Sequence, residues 1–320
     1  MIRRGVLAAV LAAVLLLGWF AAGWFMAGPL SKDTPLIVAD GSSLSAVARQ
    51  LESKGAIASA ASFKARARIF GAGRTIKAGE FLLPKAASPS RILAIVTGDE
   101  VIRRFVTIPE GMPSIMVYER LLAQPNLTGA IKVPAEGSVL PDTYEFERGE
   151  SRQAVLDRMQ AAMVRTLDAL WKKHAPQIAV SSPREALILA SIVEKETGKP
   201  SERQMVAGLY SNRLRQGIML QADPTIIYPI TKGKPLGRRI RQSEIQAVND
   251  YNTYAMIGLP KAPITNPGRS AIEAVLHPAN TGALYMVADG TGGHAFAATL
   301  AEHNANVQKW FALRRARGEI

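Results

Sequence analysis

The sequence predicts an α+β protein carried on one N-terminal transmembrane helix, with a small strand-helix-helix-strand unit ahead of a larger helical domain edged by short strands. Three observations predict it. No charged residue falls between Arg4 and Lys32, the next stretch alternates short strand-like and helix-like runs, and two strong helix starts frame a long apolar run near the middle of the chain. At roughly one domain per 150 residues, 320 residues accommodate two folded units besides the anchor. The expected division is 1–31 for a cytoplasmic tip and anchor, 32–108 for the small unit and 109–320 for the larger domain.

The run from Val6 to Ala27 is long enough to cross ~30 Å of hydrocarbon as a helix. Trp19, Phe20, Trp24 and Phe25 gather at its far end, where amphipathic rings settle at headgroup level. Arg3 and Arg4 are expected to hold the amino terminus in the cytoplasm, which places everything after Leu30 outside it. A cleaved signal peptide has a shorter apolar region, so length favours a retained anchor; Ala21 to Gly23 leaves a cleavage site open. The body beyond the anchor carries 37 basic and 26 acidic residues, a net charge of +11 facing the membrane surface and any acidic polymer there. Nucleic acid is excluded as a partner by that location. Twenty per cent charged residues exclude a polytopic membrane protein, and the absence of cysteine excludes disulfides, thiolate metal sites and a cysteine nucleophile.

Leu36 to Ala39 reads as a strand, and Ser43 caps a helix carrying Leu44, Val47, Ala48 and Leu51 at helical spacing. A second helix is expected over Ser62 to Phe70 and a strand over Gly79 to Leu83, then a helix from Ser88-Pro89 and a strand over Arg103 to Ile108. This order and the Asp40-Gly41-Ser42-Ser43-Leu44 opening resemble a LysM-like module, a small fold that grips N-acetylated glycans; a spacer without a ligand fits the same pattern. Pro109 to Pro113 marks a passage between units. Beyond it come a helix over 114–123, a loop and strand around Ala135 to Tyr144, and a long amphipathic helix from Ser151 to His174.

Ser182-Pro183-Arg184-Glu185 is a capping box with proline at the first helical position. The run Ala186 to Val193 is apolar on every face and predicts a helix buried all round, with Glu194, Lys195 and Glu196 in its last turn, Gly198 as its left-handed stop and Pro200 preventing continuation. Acidic groups at a helix carboxyl end oppose the dipole, and apolar surroundings disfavour the ionised form as well, so a carboxyl here has a raised pKa and suits a general acid. Glu196 shares its face with Leu189, Ile192 and Val193, bulkier neighbours than those of Glu194, and is the favoured candidate. Ser201 to Gln204 reads as a second capping box, opening a helix that ends at Gly217. The segments beyond it are rich in tyrosine and amide side chains. Stacking on aromatic faces and hydrogen bonds from amides hold sugar rings, so Gln221, Asp223, Tyr228, Tyr251, Asn252, Tyr254 and Asn266 are candidate substrate contacts. For Asp223, an Asx turn before Pro224 is an equal alternative.

Ala190-Ser191-Ile192-Val193-Glu194-Lys195-Glu196-Thr197, Asn212-Arg213-Leu214, Leu220-Gln221 with Asp223-Pro224-Thr225, Tyr251 to Tyr254 with Gly258-Leu259-Pro260, and Gly293-His294 with Phe296 together resemble the MltG (YceG-like) endolytic murein transglycosylases. The resemblance runs from about Pro109 to Val307. It implies a bacterial inner-membrane enzyme, single-pass with its catalytic domain periplasmic or extracytoplasmic, that cuts nascent peptidoglycan strands internally at the MurNAc-GlcNAc bond, limiting strand length. The implied product carries a 1,6-anhydro-MurNAc end, the implied catalytic residue is Glu196 acting alone as acid and base, and no cofactor is required. Peptidoglycan strands are then the substrate, and cell-wall synthases are candidate partners. Gly258-Leu259-Pro260-Lys261-Ala262-Pro263 departs from the family's usual Gly-Leu-Pro-Pro-Gly-Pro.

Other chemistries find less support. Four histidines (His174, His277, His294, His303) form no close-spaced ligand cluster, so no metal site is expected. No Gly-x-Ser-x-Gly elbow is present, and Gly290-Thr291-Gly292-Gly293 reads as a hairpin turn between strands at Leu284 to Val287 and His294 to Ala297. The rival reading is a non-catalytic, membrane-anchored scaffold that binds peptidoglycan.

Overall fold

The computed structural model describes residues 2–71 and 73–320. The side chains of residues 1–5 lie outside the described residues, and with them the expected role of Arg3 and Arg4. The chain is a mixed α and β structure that divides into two compact units, Met1–Arg104 with Glu145–Glu150, and Phe105–Tyr144 with Ser151–Ile320. The boundaries fall within β3 (Arg103–Thr107) and β4 (Thr143–Glu147), which pair as a two-stranded ribbon.

The first unit begins with α1 (Ile2–Phe25), whose segment Val6–Phe25 has a mean hydropathy of 2.4 and is long and apolar enough to cross a membrane. Trp24, expected at headgroup level, is instead 2% exposed and belongs to a protein core. Strands β1 (Thr34–Val38) and β2 (Gly79–Leu83) pair antiparallel, Thr34 opposite Leu83 and Val38 opposite Gly79, with α2 (Leu44–Ser53) and α3 (Ala60–Phe70) between them in sequence. Strand alternation points Leu36 and Val38 inward, where they meet Val47, Leu51, Phe63, Phe81 and Ile92 of α4 (Pro89–Thr97). Serine oxygens cap three of these helices, Ser43 for α2, Ser59 for α3 and Ser88 for α4. Helix α3 thus starts before the expected Ser62, because Ser59 provides the cap.

The second unit is mainly helical. Helices α5 (Ser114–Leu122) and α6 (Arg152–Trp171) precede α7 (Pro183–Glu196), which is enclosed as its composition predicts, with Ala186 and Ile188 through Val193 all buried. Ser182 caps α7 by accepting from the Glu185 amide, while the Glu185 carboxylate turns to Ser181 instead of closing the box. Helices α8 (Arg203–Arg215) and α11 (Arg269–Leu276) pack against α7. Burying Leu189, Ile192, Val206, Leu209 and Ile272 there contributes roughly 1.5–3 kcal/mol per side chain. Between them lie α9 (Asp223–Thr231) and the short α10 (Gln242–Ile245). The hairpin β5 (Tyr285–Ala288) and β6 (His294–Ala297) pairs Ala288 with His294, and α12 (Leu300–Ala316) closes the chain from a capping box of Thr299 and Glu302.

Two expected helix signals resolve differently. Thr197 in an extended conformation ends α7, and Gly198 does not take the left-handed conformation. The expected capping box of Ser201 and Gln204 does not form, because Pro200–Glu202 is a 3-10 turn that takes up Ser201 and α8 starts only at Arg203, after Glu202.

Candidate active site

Helix α7 delivers its last turn into a cleft of 460 Å³ in the second unit. Glu196 lines one wall with Tyr210 and Arg213 of α8, Gln221 and Asp223 at the start of α9, and Tyr254. Tyr285 and His294 of the hairpin and His303 of α12 complete the lining. Burial pushes the Glu196 carboxyl up to about 7, helped by the negative charge of Asp223, while the Tyr210 hydroxyl and Arg213 favour the ionised form. The Tyr210 hydroxyl donates to this carboxyl, yet Oε1 is buried without a hydrogen-bond partner. An enclosed carboxyl that keeps a proton near neutrality, with one oxygen reserved, has the properties of a general acid.

Glu194 has a different environment. Its Oε2 accepts from the Gly268 amide at 2.8 Å and its Oε1 lies 3.6 Å from Arg203, with the side chain only 5% exposed. Burial raises its pKa also, but both oxygens are occupied in tying α7 to α8 and to the turn before α11. This glutamate belongs to the scaffold.

The platform beside Glu196 is built under strain. Gln221 adopts φ +54, a left-handed conformation costly by roughly 1 kcal/mol for a residue with a Cβ. Its amide donates to Thr253 O at 3.0 Å, the next amide donates to Thr253 Oγ1, and Thr253 Oγ1 and Thr225 Oγ1 bond at 2.9 Å. Gln221 Oε1 accepts from Arg213 at 3.2 Å. Such over-determination holds a conformation that would otherwise relax. Asp223 begins α9 with Pro224 behind it and its Oδ1 accepts from the Tyr254 hydroxyl at 2.7 Å; the Thr225 amide donates to Ala222 O and not to Asp223, so no Asx turn forms. Burial, together with the bond to Asp223, holds the Tyr254 hydroxyl protonated well beyond its usual range.

Of the expected substrate contacts, Gln221, Asp223 and Tyr254 come together with Glu196. The others do not line this cleft. The Tyr228 and Tyr251 rings lie tilted against each other with centres 4.8 Å apart, and Tyr228 bonds to Glu136, a half-buried carboxyl also raised to about 7 by burial. Asn252 is fully buried and donates to the carbonyls of Glu244, Ile245 and Ala247. Asn266, equally buried, donates to Met112 O and Ser114 Oγ and accepts from the Val139 amide. An amide matches the mixed donor and acceptor needs of irregular backbone as readily as those of sugar, and composition does not separate the two. Lys261, where the loop departs from Gly-Leu-Pro-Pro-Gly-Pro, sets its charge against exposed Asp250 at 2.9 Å.

Arg213, quoted in the sequence only within Asn212-Arg213-Leu214, is with Tyr210 and Tyr285 among the cleft residues not named as candidate contacts. It is 8% exposed and donates to the carbonyls of Leu284, Met219 and Leu220 as well as to Gln221, with its guanidinium over the Tyr285 ring. Beside it, Asn212 donates to Thr281 O and Ala283 O. The pair thereby fastens the hairpin segment to the cleft floor.

The YceG-like family model matches residues 36–309. The chain belongs to the YceG-like family. Within that family it resembles the endolytic murein transglycosylase of Bacillus subtilis (strain 168), 33% identical over 57% of this chain and 49% of the relative. It also resembles the protein of that name from Streptococcus pneumoniae serotype 2, 34% identical over 54% of this chain and 31% of the relative. The matched segment thus spans half or less of these relatives' lengths. A putative YceG-like protein from Listeria monocytogenes of known crystal structure superposes with a TM-score of 0.53 at 27% identity, covering 86% of this chain and 98% of that one. In this YceG-like chain His294, which lines the cleft, is anchored by Glu202. Glu202 accepts from the His294 amide at 3.1 Å and lies 2.9 Å from His294 Nδ1, fixing the proton on that nitrogen and leaving Nε2 for the cleft.

Proposed function

We propose that this chain is a membrane-anchored endolytic lytic transglycosylase that cleaves the MurNAc-GlcNAc bond of peptidoglycan strands. The observation that carries the reading is the Glu196 carboxyl, protonated near neutrality in a cleft with Oε1 unpartnered. Glu196 donates its proton to the bridging oxygen as the bond to the muramyl anomeric carbon breaks, and the GlcNAc hydroxyl departs carrying that proton. The substrate's own acetamido group stabilises the developing cation. The Glu196 carboxylate then takes the proton from the muramyl 6-hydroxyl, whose oxygen bonds the anomeric carbon and closes the 1,6-anhydro ring. No water is consumed and the carboxyl ends as it began.

One acid serves both steps, so a second catalytic carboxylate is unnecessary. Burial, with the charge of Asp223 adding to it, keeps Glu196 protonated, while Gln221, Tyr254 and His294 Nε2 offer hydrogen bonds to the sugars on either side. Tyr228 and Tyr251 lie outside the lining of this cleft, and Asn252 and Asn266 support loops. The relatives named endolytic murein transglycosylases support the substrate class. Helix α1 supports retention in the inner membrane with the body on the extracytoplasmic side, the βααβ arrangement of the first unit supports a LysM-like glycan grip, and cell-wall synthases are the partners this chemistry implies.

The test is digestion of purified glycan strands by the full chain, with products read by mass spectrometry. Wild type yields anhydro-ended fragments, whereas Glu196→Gln still binds strands and loses roughly 10²–10⁴-fold in rate. Glu194→Gln retains cleavage. Equal rates for wild type and Glu196→Gln, or fragments with reducing ends formed by water, defeat the proposal; binding without cleavage by wild type supports the scaffold reading instead.

A further inference from the structure

The outer turns of α1 are gripped by α3. Arg66 donates from Nε to Phe20 O at 2.9 Å and from Nη1 to Gly23 O at 3.3 Å, with its guanidinium 5.0 Å from the Phe20 ring centre and 5.9 Å from that of Trp19. A Cβ at position 23 would fall 2.5 Å from the Arg66 guanidinium, so glycine permits this approach. Trp24 packs its ring against Phe63 and Phe70, and Phe70 also reaches Phe20 and Phe25. Cleavage between Ala21 and Gly23 would strip Phe20 from Arg66 and part the anchor from this core.

The order of these contacts gives α3 a direction. Ser59 and Ser62 share a groove with Met26 to Pro29, Phe63 lies beside Trp24, and Arg66 and Phe70 reach Phe20. Helix α3 therefore descends along α1 toward the apolar span. Phe20 lies one and a half turns, roughly 7.5 Å, inside the outer end of Val6–Phe25. Ending the span at Gly18 to keep Arg66 in water would leave only about 20 Å of helix for a hydrocarbon layer of about 30 Å. The bilayer thickness thus brings the carboxyl end of α3 to headgroup depth.

The residues at that end suit the location. Ile69 is 65% exposed and Phe70 39% exposed, an apolar pair that a water-facing helix end has no reason to present, and exposed Arg68 stands beside them. The groove between α1 and α3, 470 Å³ in volume, has apolar walls of Trp19, Met26 and Phe63 with the Ser59 and Ser62 hydroxyls and Arg66 among them. Apolar walls with one cation and two hydroxyls match a phospholipid's glycerophosphate and upper acyl carbons.

We propose that the end of α3 and the outer end of α1 form one lipid-binding surface, with Ile69 and Phe70 among the upper acyl carbons and Arg66 and Arg68 on outer-leaflet phosphates. The first unit is therefore seated on the membrane and does not swing freely above it. This rests on the reading of α1 as a retained membrane anchor and is independent of the chemistry at Glu196.

The chain has no cysteine, so single cysteines can be placed and nitroxide-labelled in the full protein, reconstituted in nanodiscs of phosphatidylethanolamine and phosphatidylglycerol. Leu11→Cys reports the span, Ile69→Cys the proposed surface, and Lys54→Cys an exposed position of the same unit. Collision with a water-soluble nickel chelate is expected to be several-fold lower at position 69 than at 54, and lower still at 11. Equal collision at 69 and 54 with position 11 protected overturns the lipid surface alone. Chelate access at position 11 removes the anchor reading and the proposal with it. Excess inorganic phosphate is expected to leave position 69 protected; release by phosphate would reveal a free-anion site and overturn the assignment to lipid.

Discussion

Glu196→Gln is expected to make the protein more stable as well as inactive, and the gain depends on pH in a way that identifies its cause. In the unfolded chain this carboxyl titrates near 4.5, whereas in the fold burial holds it at about 7. The folded state therefore binds the proton more tightly, and stability declines as pH rises from the lower value and stops declining above the higher one. A displacement of this size corresponds to about 3 kcal/mol at pH 8.5 and under about 1 kcal/mol at pH 5. Glutamine fills nearly the same volume, keeps an oxygen for the Tyr210 hydroxyl and carries no charge, so the variant escapes the penalty. For a unit of this size the gain at pH 8.5 amounts to about 6–12 °C in the midpoint of the second unit's transition, measured by calorimetry on the full chain in detergent. Glu136 has a similar shift and contributes equally to both proteins, so the difference between them isolates Glu196. A midpoint difference that does not change between pH 5 and pH 8.5 would refute the claim that this carboxyl is buried with its proton.

Further expectations concern the machinery around that carboxyl. The general acid must be protonated, so the alkaline limb of kcat/KM follows the Glu196 pKa; Tyr210→Phe is expected to move that limb up by about one pH unit, the worth of a hydrogen bond to a charged group, and Asp223→Asn to move it down. Pulling both limbs in one direction would contradict the electrostatics of the cleft. Gln221→Gly relieves a left-handed backbone and is expected to leave stability within about 1 kcal/mol of wild type while lowering turnover, as read by paired denaturation and digestion assays. Arg213→Met strands the carbonyls of Met219, Leu220 and Leu284 and is expected to destabilise the second unit by roughly 3 kcal/mol or more, seen as early exchange of the β5–β6 amides. With His294, where Nε2 is the nitrogen left to the cleft, His294→Gln is expected to hold KM nearer wild type than His294→Asn, which can reproduce only the Nδ1 bond to Glu202. Equal KM values would place His294 in the scaffold.

The local code of this chain is strong wherever a single short segment carries the information. Ser182 and Pro183 fix the start of α7, the unbroken apolar run from Ala186 to Val193 states that the helix is enclosed, and the spacing of Glu194 and Glu196 separates them onto different faces. Serine caps and two-residue alternation likewise announce the βααβ unit, and hydropathy alone marks the segment Val6–Phe25. Helix α12 has an equally clear capping box at Thr299 and Glu302, a signal present but not used.

What tertiary structure decided is how each polar side chain is employed. Asn252, Asn266 and Gln221 look alike as amides in polar segments, yet Asn252 satisfies carbonyls of its own loop, Asn266 satisfies backbone groups of two distant segments, and only Gln221 meets the cleft. Their partners lie up to 154 residues away in the chain, a separation that no local pattern encodes. Glu202 reads locally as a solvated acid in the first turn of a helix, but a histidine 92 residues on takes its carboxylate in a charge-assisted bond. Trp24 reads as a membrane-interface ring and is claimed by Phe63 and Phe70. Sequence settles the backbone's local course through short-range sterics and hydrogen bonding; the allotment of polar groups between scaffold and site waits for packing, which alone determines which of them water can still reach.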